Sequence, residues 1–199
     1  MLLALQECLF GSTLARFCSL WIALTVAGAI FGTTLSGWDP EAIDWDALEA
    51  SPNASHWFGT DLIGRDLFAR IWLGAQISLT AALVATSVSI FIGVPYGAFA
   101  GLRGGRTDQL MMRIVDVLYA VPFILVVILL MVVFGRDPLL FFFALGAVYW
   151  LDIARIVRGQ TLAIRERAFI QVARTMGAGR GRILLRHVVP NVAGPALVY

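Results

Sequence analysis

Between Ile71 and Leu102 the chain runs without one charged side chain. As a single helix at ~1.5 Å per residue that stretch would be ~48 Å long, against a bilayer core of ~30 Å. Either part of it projects from the membrane or it bends near Pro95. A second uncharged run covers 17–38, longer than the ~7–15 residue core of a cleavable signal, with no small-x-small cleavage site after it. It reads as a retained anchor. The composition agrees: 59% of residues are hydrophobic and 14% charged, where a soluble domain carries about a quarter charged. The mean hydropathy is +0.83. An all-α polytopic transmembrane bundle is the expected fold class, because backbone polar groups in lipid must be satisfied within each span.

Four complete spans are expected, followed by the start of a fifth. The first runs from Phe17 to about Leu35, and the second lies within 71–102. The third runs from about Val117 to Phe134, and the fourth from Leu139 to about Val157. All fifteen basic residues are arginine, and their placement sets the direction. With residues 1–16 as a short cytoplasmic N-terminus, the inner side receives Arg16, Arg103, Arg106, Arg113 and the eight arginines from Arg155 to Arg186. The outer side keeps Arg65, Arg70 and Arg136. Twelve against three is a marked positive-inside bias. Net charge is +2, too small to point to nucleic acid. The cysteines, Cys8 and Cys18, lack metal-ligand spacing.

The segment 36–70 is expected outside, as a polar loop followed by an amphipathic interfacial helix from Asp61, where Leu62, Ile63, Leu67, Phe68, Ile71 and Trp72 recur at helical spacing. His56, Asp61 and Asp66 are conceivable metal ligands; capping and ion pairing with Arg65 and Arg70 is the favoured reading. Gly28 with Gly32, and the row Gly93, Gly97 and Gly101, have the spacing that lets helices approach closely in lipid. Asp116 and Asp152 are unusual at membrane depth, and Asp152 has Arg155 three residues on as a structural ion-pair partner. Pro95 and Pro122 are either hinges or tolerated kinks.

After the fourth span, Leu162, Phe169, Val172, Ala173 and Met176 form an apolar stripe, with Arg165, Glu166, Arg167, Gln171 and Arg174 mostly off it. This helix is expected to end near Gly177, and a second short helix, Arg182 to Val189, to be closed by Pro190. Such a compact knob suits docking of a partner; the other reading is a juxtamembrane helix held by anionic lipid. No Gly-rich phosphate loop, metal cluster or nucleophile motif is present, so catalytic residues and cofactors are not expected.

This loop resembles the permease signature of ABC importers, which reads Glu-Ala-Ala, three residues, Gly, nine residues, Ile, one residue, Leu-Pro. Here Gln171, Val172 and Ala173 stand first, then Gly177, His187, and Val189 with Pro190; the leading acid is replaced by Gln171. The run His56 to Asp66 is similar to the His-x-x-Gly-Thr-Asp-x-x-Gly-Arg-Asp stretch of the peptide/nickel permease branch. Met112 to Asp116, Tyr119 to Phe123, Phe134 to Arg136, Ala144 to Trp150 and Ala154 to Gln160 continue the match, closest to the "C"-type subunits of oligopeptide importers.

The resemblance implies a type I importer permease in the bacterial inner membrane, with residues 71–199 as permease core and 158–190 as the cytoplasmic coupling loop. It implies a heterodimer with a second permease subunit, separate cytoplasmic ABC ATPase subunits that hydrolyse ATP, and an extracytoplasmic peptide-binding protein. Arg165, Glu166, Phe169, Gln171, Ala173, Met176, Gly177, His187 and Pro190 would form the surface gripped by the ATPase. Oligopeptides are the implied cargo, with dipeptides, nickel or glutathione as alternatives. Family members continue through two further spans, so a C-terminally truncated product or a fragment is expected, and a membrane protein that no longer transports is the rival reading.

Overall fold

In the computed structural model, residues 13–135 and 137–198 are described. The N-terminal segment with Cys8, Arg136 of the outer arginine set and Tyr199 lie outside them. Helices α1 (Thr13–Ser36), α2 (Leu67–Arg103), α3 (Gly105–Tyr119), α4 (Phe123–Phe134), α5 (Pro138–Arg165), α6 (Ala168–Thr175), α7 (Arg180–Ile183) and α8 (Val189–Val198) follow in order, with a π turn over Leu184–Val188 between the last two. The chain divides into two compact units, 1–80 and 81–199.

In the first unit, α1 is long and apolar enough to cross a bilayer. A Cβ at Gly28 or Gly32 would collide with the indole of Trp72, so this glycine pair seats an aromatic ring from the start of α2. The amphipathic helix expected from Asp61 is absent; Asp61 to Asp66 form a turn and the helix begins at Leu67. Two aspartates explain the correction. Asp61 accepts hydrogen bonds from the amides of Ile63 and Arg65, each at 3.0 Å, and pairs with Arg65 at 2.8 Å and Arg70 at 3.9 Å. Asp66 accepts from the Ala69 amide at 2.7 Å and so caps α2. The Arg65 amide, with its guanidinium, holds the Asp61 carboxyl below its ordinary value of 3.8. His56 lies between carboxylates, 3.0 Å from Asp66 and 3.4 Å from Asp44, with Trp38 against its ring at 4.4 Å. The favoured capping and pairing arrangement is the one observed.

The second unit holds the remainder of α2 and all later helices. α2 continues unbroken through Pro95, ~56 Å in all at ~1.5 Å per residue, so it exceeds a bilayer rather than stopping at the proline. The glycine row marks its closest packing. Added Cβ atoms would lie 2.7 Å from Ile153 at Gly93 and 2.8 Å from Thr161 at Gly101, and on the Ala154 carbonyl at Gly97. All three partners lie on α5, so the backbones of α2 and α5 approach each other along the row.

The expected third span is broken. α3 and α4 meet at a bend of 73°. Pro122 is the N-cap of α4; it lacks an N–H and biases Val121 out of the helical region. Pro122 is therefore a true break, whereas Pro95 is a tolerated one. α5 begins more conventionally, with Asp137 accepting from the Leu139 amide at 2.7 Å and Pro138 in the first turn. By length and composition, α1, α2 and α5 can each cross a membrane, with the bent α3–α4 pair as a fourth candidate.

Candidate docking surface and its anchor in the helix bundle

The stripe beyond the expected fourth span divides between two helices. α5 extends to Arg165, further than the expected Val157, and the chain breaks at Glu166 and Arg167 before α6 begins. Gln171 bridges the break, its side-chain amide donating to the Arg165 carbonyl at 3.2 Å. A glutamate in this place would have no proton to donate when ionised, so the departure from the resembled motif carries a local role. Glu166 accepts from Arg165 at 2.9 Å. Arg165 also donates to the Gly101 carbonyl at 3.2 Å, tying the end of α5 to the end of α2.

α6 has two distinct faces. Ile170 is wholly buried, while Phe169, Val172 and Met176 are 43%, 54% and 81% exposed. At ~100° per residue, Val172 falls roughly opposite Ile170, with Phe169 and the C-cap residue Met176 about 100–120° round from it. Ala173 is half-buried beside them. Gly177 ends this stretch with φ +82, a left-handed conformation that costs a side-chain-bearing residue. No atom lies within 4 Å of its would-be Cβ, so backbone conformation, not space, selects glycine there. The His187 ring stands 6.4 Å from that of Phe169, which brings the second half of the motif onto the same surface. Leu185 is also exposed; with no stripe of its own it was not singled out in the sequence.

Pro190 does not close a helix. It lies in the first turn of α8, directly after the π turn, and the path from Arg180 to Val198 is helical throughout. The wider π turn precedes a residue that has no N–H to give, and proline suits a first turn.

Behind the exposed face lies one apolar cluster. It joins Val94 and Ala98 of α2, Ile153, Val157 and Ile164 of α5, Ile170 of α6, Ile183 of α7, Val188 of the π turn, and Val192 and Ala196 of α8. The knob is therefore continuous with the membrane-length helices through packed side chains, with no linker between them.

The charged residues pair differently from expectation. Arg155 does not bind Asp152; it reaches Asp116 on α3 at 2.9 Å and lies over the Tyr119 ring at 4.4 Å. Asp152 instead accepts from the Tyr119 hydroxyl at 3.1 Å. Arg155 is long enough to span the gap to α3, and Asp116 offers a charge there, so the cross-helix pair displaces the local one. A stronger pair escaped sequence reasoning. Arg158 donates two hydrogen bonds to buried Asp108, at 2.7 and 2.6 Å, and these residues stand too far apart in sequence for any periodicity to link them. Among the described residues no group of three His, Cys, Asp or Glu side chains has metal-binding geometry.

Comparison with known proteins agrees with this architecture. Residues 93–199 match the family described as binding-protein-dependent transport system inner membrane component. The oligopeptide transport system permease protein OppC of Bacillus subtilis (strain 168) is 42% identical over 177 residues, covering 89% of this chain and 58% of the relative. OppC of Haemophilus influenzae is 43% identical over 180 residues, with 89% and 56% covered. The dipeptide transport system permease protein DppC of Bacillus subtilis (strain 168) is 47% identical over 147 residues, with 74% and 46% covered. The chain thus spans less than two-thirds of the length of these relatives.

Proposed function

The chain belongs to the family of binding-protein-dependent transport system inner membrane components, and we propose that it is a permease subunit of an ATP-driven ABC importer for oligopeptides, coupled to its ATPase through the knob 158–190. It is a multi-pass membrane protein with transport permeases as relatives, and its own part in the cycle is mechanical. In this reading separate cytoplasmic ATPases carry out hydrolysis, a second permease subunit completes the pathway, and an extracytoplasmic peptide-binding protein delivers the cargo. In this reading the N-terminus and the knob lie on the cytoplasmic side, which the arginine asymmetry of the sequence supports.

The observation that carries the proposal is the two-faced helix α6. Its outer face offers Phe169, Val172 and Met176 to a partner, while Ile170 on the other side belongs to the cluster that includes α2, α5 and α8. A partner that shifts α6 must move that packed cluster with it, because close-packed interiors transmit displacement instead of absorbing it. ATP-driven closure of the ATPases would bias two arrangements of the spans by differential contact with the knob.

Association and uptake test this separately. In cells co-producing the ATPase, Val172→Arg with Met176→Glu should weaken co-purification about 30-fold or more, since a central contact is worth ~2 kcal/mol or more and ~1.4 kcal/mol is tenfold. Undiminished association would sink the docking claim. Association without peptide uptake in the unaltered chain would remove the transport reading and spare the docking one. Relatives named for dipeptide and glutathione transport make those the competing cargoes to include in the uptake assay.

A further inference from the structure

Where α3 meets α5, charged groups stand exposed at membrane depth. Any ~20-residue stretch of the 28-residue α5 long enough to cross a ~30 Å hydrocarbon core contains both Asp152 and Arg155. Their partners on α3 lie at the same level, since Arg155 pairs with Asp116 at 2.9 Å and the Tyr119 hydroxyl donates to Asp152 at 3.1 Å. Asp116, Tyr119 and Arg155 are nonetheless exposed within this chain. We propose that this patch lines a water-filled passage through the membrane and binds a cation there, the α-ammonium end of a peptide cargo.

Three observations carry the assignment. First, lipid is excluded as the neighbour, because ionised side chains at that depth face a bundle interior or an aqueous cavity. Second, the break after Tyr119 makes the same demand of the backbone. The carbonyls of Ala120 and Val121 accept no hydrogen bond among the described residues, and irregular backbone at membrane depth persists only inside protein or against water. Third, the sign of the patch selects the ligand. Two carboxylates face one guanidinium, which goes to Asp116 and over the Tyr119 ring. Asp152 has a neutral hydroxyl as its donor and makes no ion pair with the described residues. α3 also ends here, with the negative end of its dipole toward the break, and unwound carbonyls of broken helices coordinate cations in transporters. A second permease subunit packed on the patch would have to bring a buried cation of its own, whereas a passage supplies water until cargo arrives. The α-ammonium group offers N–H donors to the Asp152 carboxylate and the two open carbonyls. None of these residues belongs to the knob 158–190, so the patch is separate from the surface read as meeting the ATPase. The cargo's identity as a peptide rests on the importer reading; access of water to the patch does not.

The test uses the full chain carrying Cys8→Ser and Cys18→Ser, in membranes that also hold the second permease subunit and the ATPases. Ala120→Cys keeps all four polar side chains and reports access of a membrane-impermeant, sulfonate-bearing methanethiosulfonate, since a thiol must ionise in water to react. It should label about tenfold or more faster than Leu83→Cys, an exposed apolar position on α2. Equally slow labelling at both positions overturns the proposal and assigns the patch to a subunit interface. Millimolar trialanine amide should protect Ala120→Cys, and N-acetyl-trialanine amide should not. Adding Asp152→Asn should abolish that protection, because losing a charge-assisted hydrogen bond weakens binding about tenfold or more. No protection by trialanine amide, equal protection by both peptides, or protection that survives Asp152→Asn overturns the ammonium assignment. Protection by sodium chloride, with none by choline chloride or trialanine amide, overturns it as well and gives the site to an inorganic cation. Absence of peptide uptake by the unaltered assembly, with labelling and protection intact, removes the importer reading and leaves the site in place.

Discussion

Residues far apart in sequence decide which charges can reside in this bundle. Asp108 is buried and receives two hydrogen bonds from Arg158, 2.6 and 2.7 Å long. Removing one member of such a pair leaves the other uncompensated, at a cost of ~3–5 kcal/mol for a fully buried case. Arg158 is about a third exposed, so water and detergent head groups recover part of that. Asp108→Asn should therefore lower stability by about 2–3 kcal/mol, read as a fall in Tm in detergent. Adding Arg158→Gln should restore part of the loss, since the double variant leaves no lone charge; strict additivity would show that the pair contributes nothing. By contrast, Asp116 and Arg155 are both well exposed within this chain and pair at 2.9 Å.

Helix pairs follow from the smallest side chains. Gly93, Gly97 and Gly101 bring α2 against α5 so closely that a Cβ at Gly97 would sit on the Ala154 carbonyl. Backbone cannot yield as a side chain can. Gly97→Leu should therefore separate α2 from α5 and cost ~2 kcal/mol or more, within the range of overpacking. Gly159→Leu is the matched control, because nothing lies within 4 Å of that position and its Tm should stay near wild type. A similar Tm for both variants would dismiss the close-approach argument. The broken α3–α4 pair illustrates the opposite device. There Pro122 interrupts an apolar run that hydropathy alone would join, and the two pieces meet at 73°.

Across the whole molecule, function in the importer reading depends on how firmly the knob is attached to the spans. Ile170 makes that attachment from the buried side of α6 while the docking residues stay exposed. Ile170→Ala leaves Phe169, Val172 and Met176 in place but opens a cavity beneath them. Association with the ATPase should survive within about threefold, whereas uptake per bound ATPase should fall by tenfold or more; equal loss of both would show that Ile170 serves docking alone. Much of this was legible in the sequence. Uncharged runs and composition determined an all-α membrane helix bundle, because hydropathy and helical period are local properties, while the span ends moved where the chain breaks at Pro122 and where α5 runs on to Arg165. The partners of Arg155 and Arg158, the turn at Asp61 to Asp66, the break at Pro122 and the continuous helix through Pro190 were decided by tertiary structure. Each depends on which groups distant in the chain come within a few ångströms of one another, and no local pattern carries that distance.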